Sequence, residues 1–425
     1  MNYKDRVIDE ELKFKLESFG GVLIVGPKSC GKTTTAKQHS KTYIEFQDEN
    51  KRDNYLLIAN NMPSKLLDGE TPILFDEWQD APKIWGACRK SIDDRQENGL
   101  YILTGSSSKH INTPHTGTGR ISTLKMYPMS LYESGESNGK VSLKDLFDGK
   151  DFEFAKSDLT IDDLIFAICR GGWPRSLLNK TKLSQLTVAK DLYQQIISED
   201  ISHIDGVSRK KDVVDKILKS YSRNLCTLST VSTLFSDASS TTDITKPTFY
   251  DYVEALKKLY IIEDINAWCP AIRSKCNIRS GKKRNLIDPS LAVAALGLSP
   301  EYLNHDFKTL GFLFESLCIR DLNIYSSILG GNMSYYHDRY NLEADGVLHL
   351  QDGRYALLEF KLGSNEIDMG AAHLCKIESL IKEYNENEKQ CPLDLPTLKI
   401  VITGTEFGYK REDGVYVIPI GCLKS

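Results

Sequence analysis

The sequence predicts a multidomain α/β protein. Short apolar runs alternate with helix-like segments near both ends of the chain, and the stretch between them is mostly helical. Strands of a buried parallel sheet appear as short continuous apolar runs, whereas a helix repeats its apolar residues every three or four positions. The length of 425 residues is enough for two to four domains of about 100–200 residues each.

Composition narrows the class of protein. Apolar residues make up 40% of the chain and charged residues 26%, as in folded globular proteins. The net charge of −4 excludes a polycation, so a nucleic-acid surface would have to be a local patch. No stretch approaches ~18 consecutive apolar residues, and the charged N-terminus predicts no secretory signal. Ten scattered cysteines without a CxxC pair indicate reduced thiols of a cytoplasmic protein.

Residues 1–135 predict a parallel sheet with helices between its strands. Five apolar runs supply the strands: GGVLIVG, TYIEF, TPILFDE, GLYILTG and ISTLKMYP. For residues 136–210 we predict a linker or surface insertion followed by a helical lid. The sequence is polar and contains glycines to about residue 160, which favours the linker or insertion there.

A phosphate-binding motif follows the first strand. The segment Gly26-Pro-Lys-Ser-Cys-Gly31-Lys32-Thr33 fits GxxxxGK[ST], with an apolar run before it and a plausible helix after it. Glycines let backbone N–H groups face phosphate oxygens, and the helix N-terminus adds positive charge. Lys32 would reach the β- and γ-phosphates of ATP, and Thr33 would ligate Mg²⁺. The alternative is an ordinary glycine-rich turn. The predicted nucleotide-binding residues here are Gly26, Pro27, Lys28, Ser29, Cys30, Gly31, Lys32, Thr33 and Thr34.

Two acidic residues end the third strand. Asp76 and Glu77 directly follow the apolar run Ile73-Leu74-Phe75. Asp76 is predicted to hold the Mg²⁺ shell, and Glu77 to orient and deprotonate the attacking water. A carboxylate in the second position suits a hydrolase, which activates water, better than a kinase. The alternative is a strand that ends in a solvated acidic turn.

Further polar residues are candidates for contacting the γ-phosphate. The fourth strand ends in small hydroxyl residues, so Thr104 or Ser106 could sense the γ-phosphate or the water; the alternative is a capping turn. Arg120 precedes the fifth strand and could stabilise charge in the transition state, or it could be solvated or ion-paired. Action of Arg120 in cis would need only a monomer, whereas action in trans would need a dimer or a ring.

Together these motifs resemble a known family. GPKSCGKT, ILFDEWQ, LTGSS and GTGR–ISTLKMYPMS look like the AAA-like P-loop ATPases of bacteria and archaea that carry a C-terminal domain of unknown function 4143. The resemblance implies an additional-strand sheet, with ATP and Mg²⁺ as cofactors. Gly171-Gly172-Trp173-Pro174 resembles the family's GGxP turn, which makes Pro174 a candidate nucleotide sensor. The alternative for Pro174 is a turn that ends a helix.

Residues 211–300 predict a winged-helix domain. Three helical segments, DVVDKILKSYSRN, LSTVSTLFS and KPTFYDYVEALKKLY, precede the short strand IIEDINAW. A basic wing after this strand would contact nucleic-acid phosphates, and the alternative is a solvated hairpin tip. The cations of this turn are Arg273, Lys275, Arg279, Lys282, Lys283 and Arg284.

Residues 301–425 predict a second α/β unit with a candidate metal site. A helix leads into strands at EADGVLHL, RYALLEFKL, TLKIVITG and GVYVIPI. Residues i and i+2 of a strand share a face, so Glu359 and Lys361 point together beside the strand that carries Asp345. Asp345 and Glu359 would hold Mg²⁺, with Glu315 as a further carboxylate. Lys361 would position or activate the attacking water.

This C-terminal pattern resembles the PD-(D/E)xK restriction-endonuclease-like superfamily, without its Pro-Asp dipeptide. An active DNA-cleaving site, an inactive related fold and a coincidental hairpin all stay open. The leading hypothesis is an ATP-hydrolysing AAA-like protein whose nucleotide state controls a nuclease-like, DNA-acting domain. The alternative is an ATP-gated signalling or partner-binding switch with an inactive nuclease-like fold. Glu77 and the two appended modules count against a small-molecule kinase. A homo-oligomer is left open, and no membrane partner is expected.

Overall fold

The chain forms two compact units. The computed structural model describes residues 3–105, 117–201, 207, 209–270, 280–338, 340–387 and 392–425. The first unit comprises Met1–Pro128, Ser198–Arg209 and Glu254–Ile261. The second unit comprises Met129–Ile197, Lys210–Val253 and Ile262–Ser425.

A five-stranded parallel sheet forms the centre of the first unit. Its strands are β1 Gly21–Val25, β2 Thr42–Glu45, β3 Ile73–Asp76, β4 Tyr101–Gly105 and β5 Ile121–Lys125. Their spatial order is β2-β3-β4-β1-β5, and all neighbours are parallel. The prediction of five strands is therefore confirmed, and β4 lies between β1 and β3 as an additional-strand sheet requires.

Helices pack on both faces of this sheet. They are α1 Ile8–Ser18, α2 Lys32–Gln38, α3 Arg52–Asn61 and α4 Lys83–Arg95. Leu12 of α1 and Ala36 of α2 belong to one apolar cluster with alternate strand residues. Ile84 of α4 belongs to a second cluster with the intervening strand residues. Burial on both faces explains why these strands read as unbroken apolar runs.

The chain from residue 129 onward is rich in helices. In order, they are α5 Leu131–Ser134, α6 Leu143–Phe147, α7 Ile161–Arg170, α8 Lys182–Gln195, α9 Lys211–Arg223, α10 Val231–Ser239, α11 Lys246–Lys258, α12 Pro289–Leu296, α13 Pro300–Leu303, α14 Phe307–Tyr325 and α15 Ile367–Asn387. The three helices predicted in 211–300 are α9, α10 and α11. The strand predicted after them is reduced to isolated antiparallel bridges, Ile262↔Leu286 and Ile265↔Lys283. Within the described ranges, no helix is both long and apolar enough to cross a membrane.

A seven-stranded mixed sheet dominates the C-terminal part of the second unit. The strands of this unit are β6 Val141–Ser142, β7 Ala155–Lys156, β8 Asn332–His337, β9 Glu343–His349, β10 Tyr355–Lys361, β11 Leu398–Thr403, β12 Phe407–Lys410, β13 Tyr416–Pro419 and β14 Leu423–Lys424. The sheet has the order β7-β12-β13-β11-β10-β9-β8, and β14 pairs separately with β6. Helices α14 and α15 pack on β10. Chain order here is therefore helix α14, strands β8 to β10, helix α15 and strand β11.

Two short strands lie in the stretch after residue 135 that is predicted as a linker or a surface insertion. Val141 of β6 pairs with Leu423, and Ala155 of β7 pairs with Gly408. These strands are only two residues long and find their partners near the far end of the chain. Local periodicity cannot register such short strands, so the polar, glycine-containing composition favoured a linker instead.

Candidate functional site

The phosphate-binding loop joins β1 to α2. Gly26, Ser29 and Gly31 have φ of 151°, 65° and 106°, which folds the loop back on itself ahead of the helix. A Cβ atom on Gly26 would lie 2.2 Å from the carbonyl oxygen of Met126, so glycine is required there. The buried thiol of Cys30 lies 3.7 Å from the same oxygen. The loop therefore has the closed shape that the motif predicts.

The ammonium group of Lys32 lies at the loop. Its Nζ donates to the carbonyl oxygens of Gly26 at 3.1 Å and Pro27 at 2.8 Å, and the residue is 6% exposed. Carbonyl oxygens are neutral partners, which a phosphate group can replace. Lys28 instead points outward, where its Nζ lies 3.0 Å from Asp200 Oδ1. Further exposed residues here are Ser29 and Thr34.

Three predicted residues meet at the carboxyl ends of the central strands. Asp76 Oδ1 accepts from Thr33 Oγ1 at 2.7 Å and from Thr104 Oγ1 at 2.5 Å. The backbone N–H of Glu77 also lies 3.3 Å from Thr104 Oγ1. A hydroxyl and a carboxylate are oxygen donors of the kind Mg²⁺ prefers, so Thr33 and Asp76 fit that ion. Ser106, the other hydroxyl predicted here, lies outside the described residues.

Glu77 is held by a residue that the motifs did not indicate. Glu77 has φ 53° and ψ 48°, and Gln79 follows in the single turn of 3-10 helix Trp78–Asp80. Gln79 Nε2 donates to Glu77 Oε2. Among the described residues, the buried Oε1 of Gln79 has no hydrogen-bond partner. Only the tertiary turn shows this contact, because no spacing rule selects a glutamine two positions after a carboxylate.

Arg120 lies away from the phosphate-binding loop of its own chain. Ile121 pairs with Gly21 at the amino end of β1, whereas the loop follows the carboxyl end at Val25. At ~3.3 Å per residue, about 13 Å of strand separates the two ends. Arg120 Nε lies 2.6 Å from Asp93 Oδ1. The cis interpretation is therefore corrected in favour of the ion-paired alternative, and action in trans stays a prediction.

The N-terminal segment supports the loop from behind. Arg6 donates to the carbonyl oxygens of Cys30 at 3.0 Å and Tyr127 at 2.9 Å. Burial alone would raise the pKa of Asp9, but its hydrogen bonds lower that pKa below the ordinary 3.8. The groups bonded to the Asp9 carboxylate are His39 Nε2 at 2.8 Å, Arg6 N at 2.8 Å and Tyr3 OH at 2.9 Å.

The Gly171–Pro174 turn is anchored inside the second unit. The N–H of Gly172 lies 3.0 Å from Asp288 Oδ2, and Trp173 Nε1 lies 2.9 Å from Ser290 Oγ. Pro174 begins the 3-10 helix Pro174–Leu178 directly after this turn. The turn ends α7, which agrees with the alternative interpretation of Pro174 as part of a helix-ending turn. A nucleotide-sensing role of Pro174 stays a prediction.

A buried charge network lies next to this turn. Arg320 is 2% exposed and lies 2.7 Å from both Asp288 Oδ2 and Asp321 Oδ1. Burial would raise the pKa of Asp288, but Arg320 and neighbouring donors lower it below its ordinary value. Burial raises the pKa of Asp321 in spite of Arg320. Asp321 also accepts from the N–H of Leu131 at 2.9 Å.

The C-terminal candidates do come together, as a carboxylate cluster of Glu315, Asp345 and Glu359. The N–H of Phe360 on β10 donates to Asp345 Oδ2 on β9 at 2.9 Å. Lys361 Nζ lies 3.2 Å from Asp345 Oδ2 and 2.6 Å from Glu359 Oε2. The predicted face shared by Glu359 and Lys361 is therefore present, with Asp345 beside it.

Lys283 binds the third member of the carboxylate cluster. Its Nζ lies 2.6 Å from Glu315 Oε1 and 2.9 Å from the backbone oxygen of Asp345. Burial raises the pKa of Glu315 to about 7 and the pKa of Glu359 to about 8. In the part of the chain that is described, no group of three or more His, Cys, Asp or Glu side chains is arranged to hold a metal ion. The cluster is therefore built from ion pairs, and Lys283 is a residue that the sequence pattern assigned to another role.

The basic wing prediction is corrected at the described positions. Arg284 is buried, with Nη1 3.1 Å from Asp264 Oδ2, and Lys283 is buried in the carboxylate cluster. Lys282 alone of these three consecutive cations is exposed. A run of charges in sequence cannot reveal which side chains fold inward against acids. The remaining cations, outside the described residues, are Arg273, Lys275 and Arg279.

Three family models match separate parts of the chain. The AAA domain family matches residues 18–135. Two domains of unknown function also match, DUF8612 over residues 161–302 and DUF4143 over residues 310–423. None of the curated proteins matches the chain.

Two solved structures were also compared with the chain. The Walker-type ATPase paby2304 of Pyrococcus abyssi aligns with 16% identity and a TM-score of 0.42, covering 69% of this chain and 96% of that one. Drosophila ORC bound to DNA aligns with 14% identity and a TM-score of 0.19, covering 68% and 84%.

These family matches confirm the resemblance noted in the sequence. The matches to the AAA domain at the N-terminus and to DUF4143 at the C-terminus are the two parts of that resemblance. The α/β fold class is confirmed as well, with a parallel N-terminal sheet, a helical middle and a C-terminal sheet domain.

Proposed function

We propose that the protein binds and hydrolyses ATP with Mg²⁺ at the loop of the first unit. The observation that carries this proposal is the meeting of Thr33, Asp76 and Thr104 beside the loop, where both hydroxyl oxygens lie within 2.7 Å of Asp76 Oδ1. Lys32 would exchange its carbonyl partners for the β- and γ-phosphates. Bound Mg²⁺ would neutralise charge on these phosphates.

Glu77 acts as the general base in this proposal. Its carboxylate takes a proton from the attacking water as the water oxygen bonds to the γ-phosphorus, and ADP departs with the electrons of the broken P–O bond. Gln79 fixes one oxygen of Glu77 and so orients the other. Because the acceptor is water, phosphate release without any added acceptor separates this function from that of a kinase.

Nucleotide state would control the second unit. For the DNA-cleaving version, support comes from the order α14, β8 to β10, α15 and β11, and from the contacts of Lys361 with Asp345 and Glu359. For the ATP-gated partner-binding version, support comes from the lysines that already neutralise the carboxylate cluster. The cluster as it stands does not fit Mg²⁺, so the partner-binding version is favoured.

A DNA partner has weaker support. The exposed residues of α11 include Lys246, Asp251 and Glu254, which do not form a basic face. Nonspecific DNA affinity comes mainly from cations that neutralise phosphates. DNA action, self-association and a cytoplasmic location stay proposals.

Phosphate release from ATP by the full chain tests the first part of the proposal. Lys32→Ala is expected to abolish release, whereas Lys37→Ala, which removes a half-buried lysine of α2 paired with Glu45, is expected to leave it intact. Equal activity of the wild type and Lys32→Ala would reject the assignment of the loop.

DNA cleavage tests the second part. Supercoiled, linear and branched DNA would be incubated with the full chain and Mg²⁺ or Mn²⁺, with and without ATP. Cleavage that is lost in Lys361→Ala but kept in Lys376→Ala, an exposed position on α15, would establish the nuclease version. No cleavage with ATP hydrolysis intact would leave the partner-binding version.

A further inference from the structure

Lys283 is fixed in place by its own backbone. Its N–H donates to the oxygen of Ile265 at 2.9 Å, and its oxygen accepts from the N–H of Ile265 at 2.8 Å. Three residues after Ile265, the N–H of Trp268 donates to the oxygen of Tyr335 on β8 at 2.8 Å. Lys283 is thus held by a hydrogen-bonded antiparallel bridge to a segment that is itself bonded to β8.

Its side chain fills a cation position. Lys283 Nζ contacts Glu315 Oε1 at 2.6 Å and the backbone oxygen of Asp345 at 2.9 Å, and it lies 5.7 Å from the centre of the Tyr335 ring. A carboxylate, a backbone carbonyl and a second carboxylate nearby are the oxygens that a hard divalent cation would use. The side chain is 9% exposed, so solvent does little to screen this charge.

The charges of the carboxylate cluster are already nearly balanced. Glu315, Asp345 and Glu359 contribute three carboxyl groups, and Lys283 and Lys361 contribute two ammonium groups among them. A divalent cation bound to the same oxygens would sit beside two positive charges. Like charges at such short range are strongly unfavourable where water is excluded.

We infer that Lys283 is the built-in cation of this cluster and that the C-terminal domain acts without a divalent metal there. The domain would then use the cluster to hold α14, β9 and β10 together with the segment that carries Lys283. This inference deepens the partner-binding version of the proposed function and does not depend on ATP hydrolysis.

Mn²⁺ binding to the nucleotide-free full chain tests the inference, with free Mn²⁺ measured by electron paramagnetic resonance. A Mn²⁺ site is assigned to the cluster if Asp345→Asn removes it. The wild type and Lys282→Met, which changes the exposed neighbour, are expected to have no such site. Lys283→Met is expected to gain one, because groups around a metal change its affinity by about 10–100-fold.

A second variant guards against misfolding. Lys283→Met leaves Glu315 buried without a partner, which is destabilising, so Lys283→Met combined with Glu315→Gln is measured in parallel. A wild-type Mn²⁺ site that disappears in Asp345→Asn would overturn the inference, as would the absence of any added site in both Lys283 variants. Phosphate release from ATP is measured on the same samples and is expected to be equal in all of them. Its absence in the wild type would count against the ATPase proposal and would leave this inference untouched.

Discussion

The two candidate sites use the same residue types but differ in what binds their carboxylates. In the first unit, Asp76 accepts hydrogen bonds from the hydroxyls of Thr33 and Thr104. In the second unit, Asp345 and Glu359 are bound by the ammonium group of Lys361. Both sites combine a carboxylate on a strand with a lysine that belongs to a sequence motif, so sequence patterns describe them in similar terms.

This difference decides whether a cation can enter. A hydroxyl is neutral and can both donate and accept, so it can turn to a new partner without leaving a charge behind. Removing an ammonium group from a buried carboxylate leaves an uncompensated charge, which costs several kcal/mol. The hydroxyl partners of Asp76 are therefore compatible with the proposed Mg²⁺ site, whereas the carboxylate cluster already holds two ammonium groups.

The strongest test of the comparison removes the proposed base of the first unit. Glu77→Gln is expected to lower the turnover number for ATP by about 10²–10⁴-fold, because general base catalysis is lost while the shape is kept. Binding of a fluorescent ATP analogue is expected to be unchanged. A turnover number within threefold of the wild type would remove Glu77 from the mechanism.

The buried charges of the second unit are tested next. Arg320→Met leaves Asp288 and Asp321 without their cation and is expected to lower the free energy of unfolding by about 3–5 kcal/mol. Urea unfolding of the full chain measures this loss, with the exposed Arg175→Met as the control. A loss below about 1 kcal/mol would show that this network is not held by charge.

Gln79 tests whether Glu77 needs a fixed orientation. Gln79→Glu replaces the amide donor by a like charge and is expected to lower turnover by about 10–100-fold, the worth of a charge-assisted hydrogen bond of ~1.5–3 kcal/mol. A turnover number equal to that of the wild type would mean that Gln79 has only a structural role.

The smallest effect concerns Asp9 behind the loop. The pKa of Asp9 in the folded chain lies below 3.8, so the ionised carboxylate stabilises the folded state above about pH 4. This stabilisation is lost as the pH falls through the pKa of Asp9 in the folded chain. Asp9→Asn is expected to lower the free energy of unfolding by about 1–2 kcal/mol at pH 7. Unfolding series between pH 3 and 7 would show the gap to the wild type closing below pH 4, and a constant gap would contradict this account.

The first unit was largely predictable because its signals are local. The apolar runs that end at Val25, Asp76 and Gly105 mark three strands, and the motif residues follow each strand end directly. In a parallel sheet these ends meet at one edge, so spacing along the chain is enough to bring Thr33, Asp76 and Thr104 together.

The errors all concern contacts between distant segments. The strand at Ala155 pairs with Gly408, and Lys283 folds onto Glu315, although neither partner is visible from its neighbours in sequence. A role for Arg120 in cis would need its side chain near the carboxyl end of β1, but sheet register puts Arg120 at the opposite end. Register and side-chain direction follow from packing, which local patterns do not encode.

The sequence by itself determined the α/β class, the five strands of the first sheet and the motif residues that meet at its carboxyl edge. Each of these follows from local periodicity or from a loop of defined spacing. Only the tertiary structure decided which charges neutralise one another: Arg120 with Asp93, and the ammonium groups with the carboxylate cluster. The reason is physical, because the energy of a charge depends on its burial and on partners that lie far away in the chain.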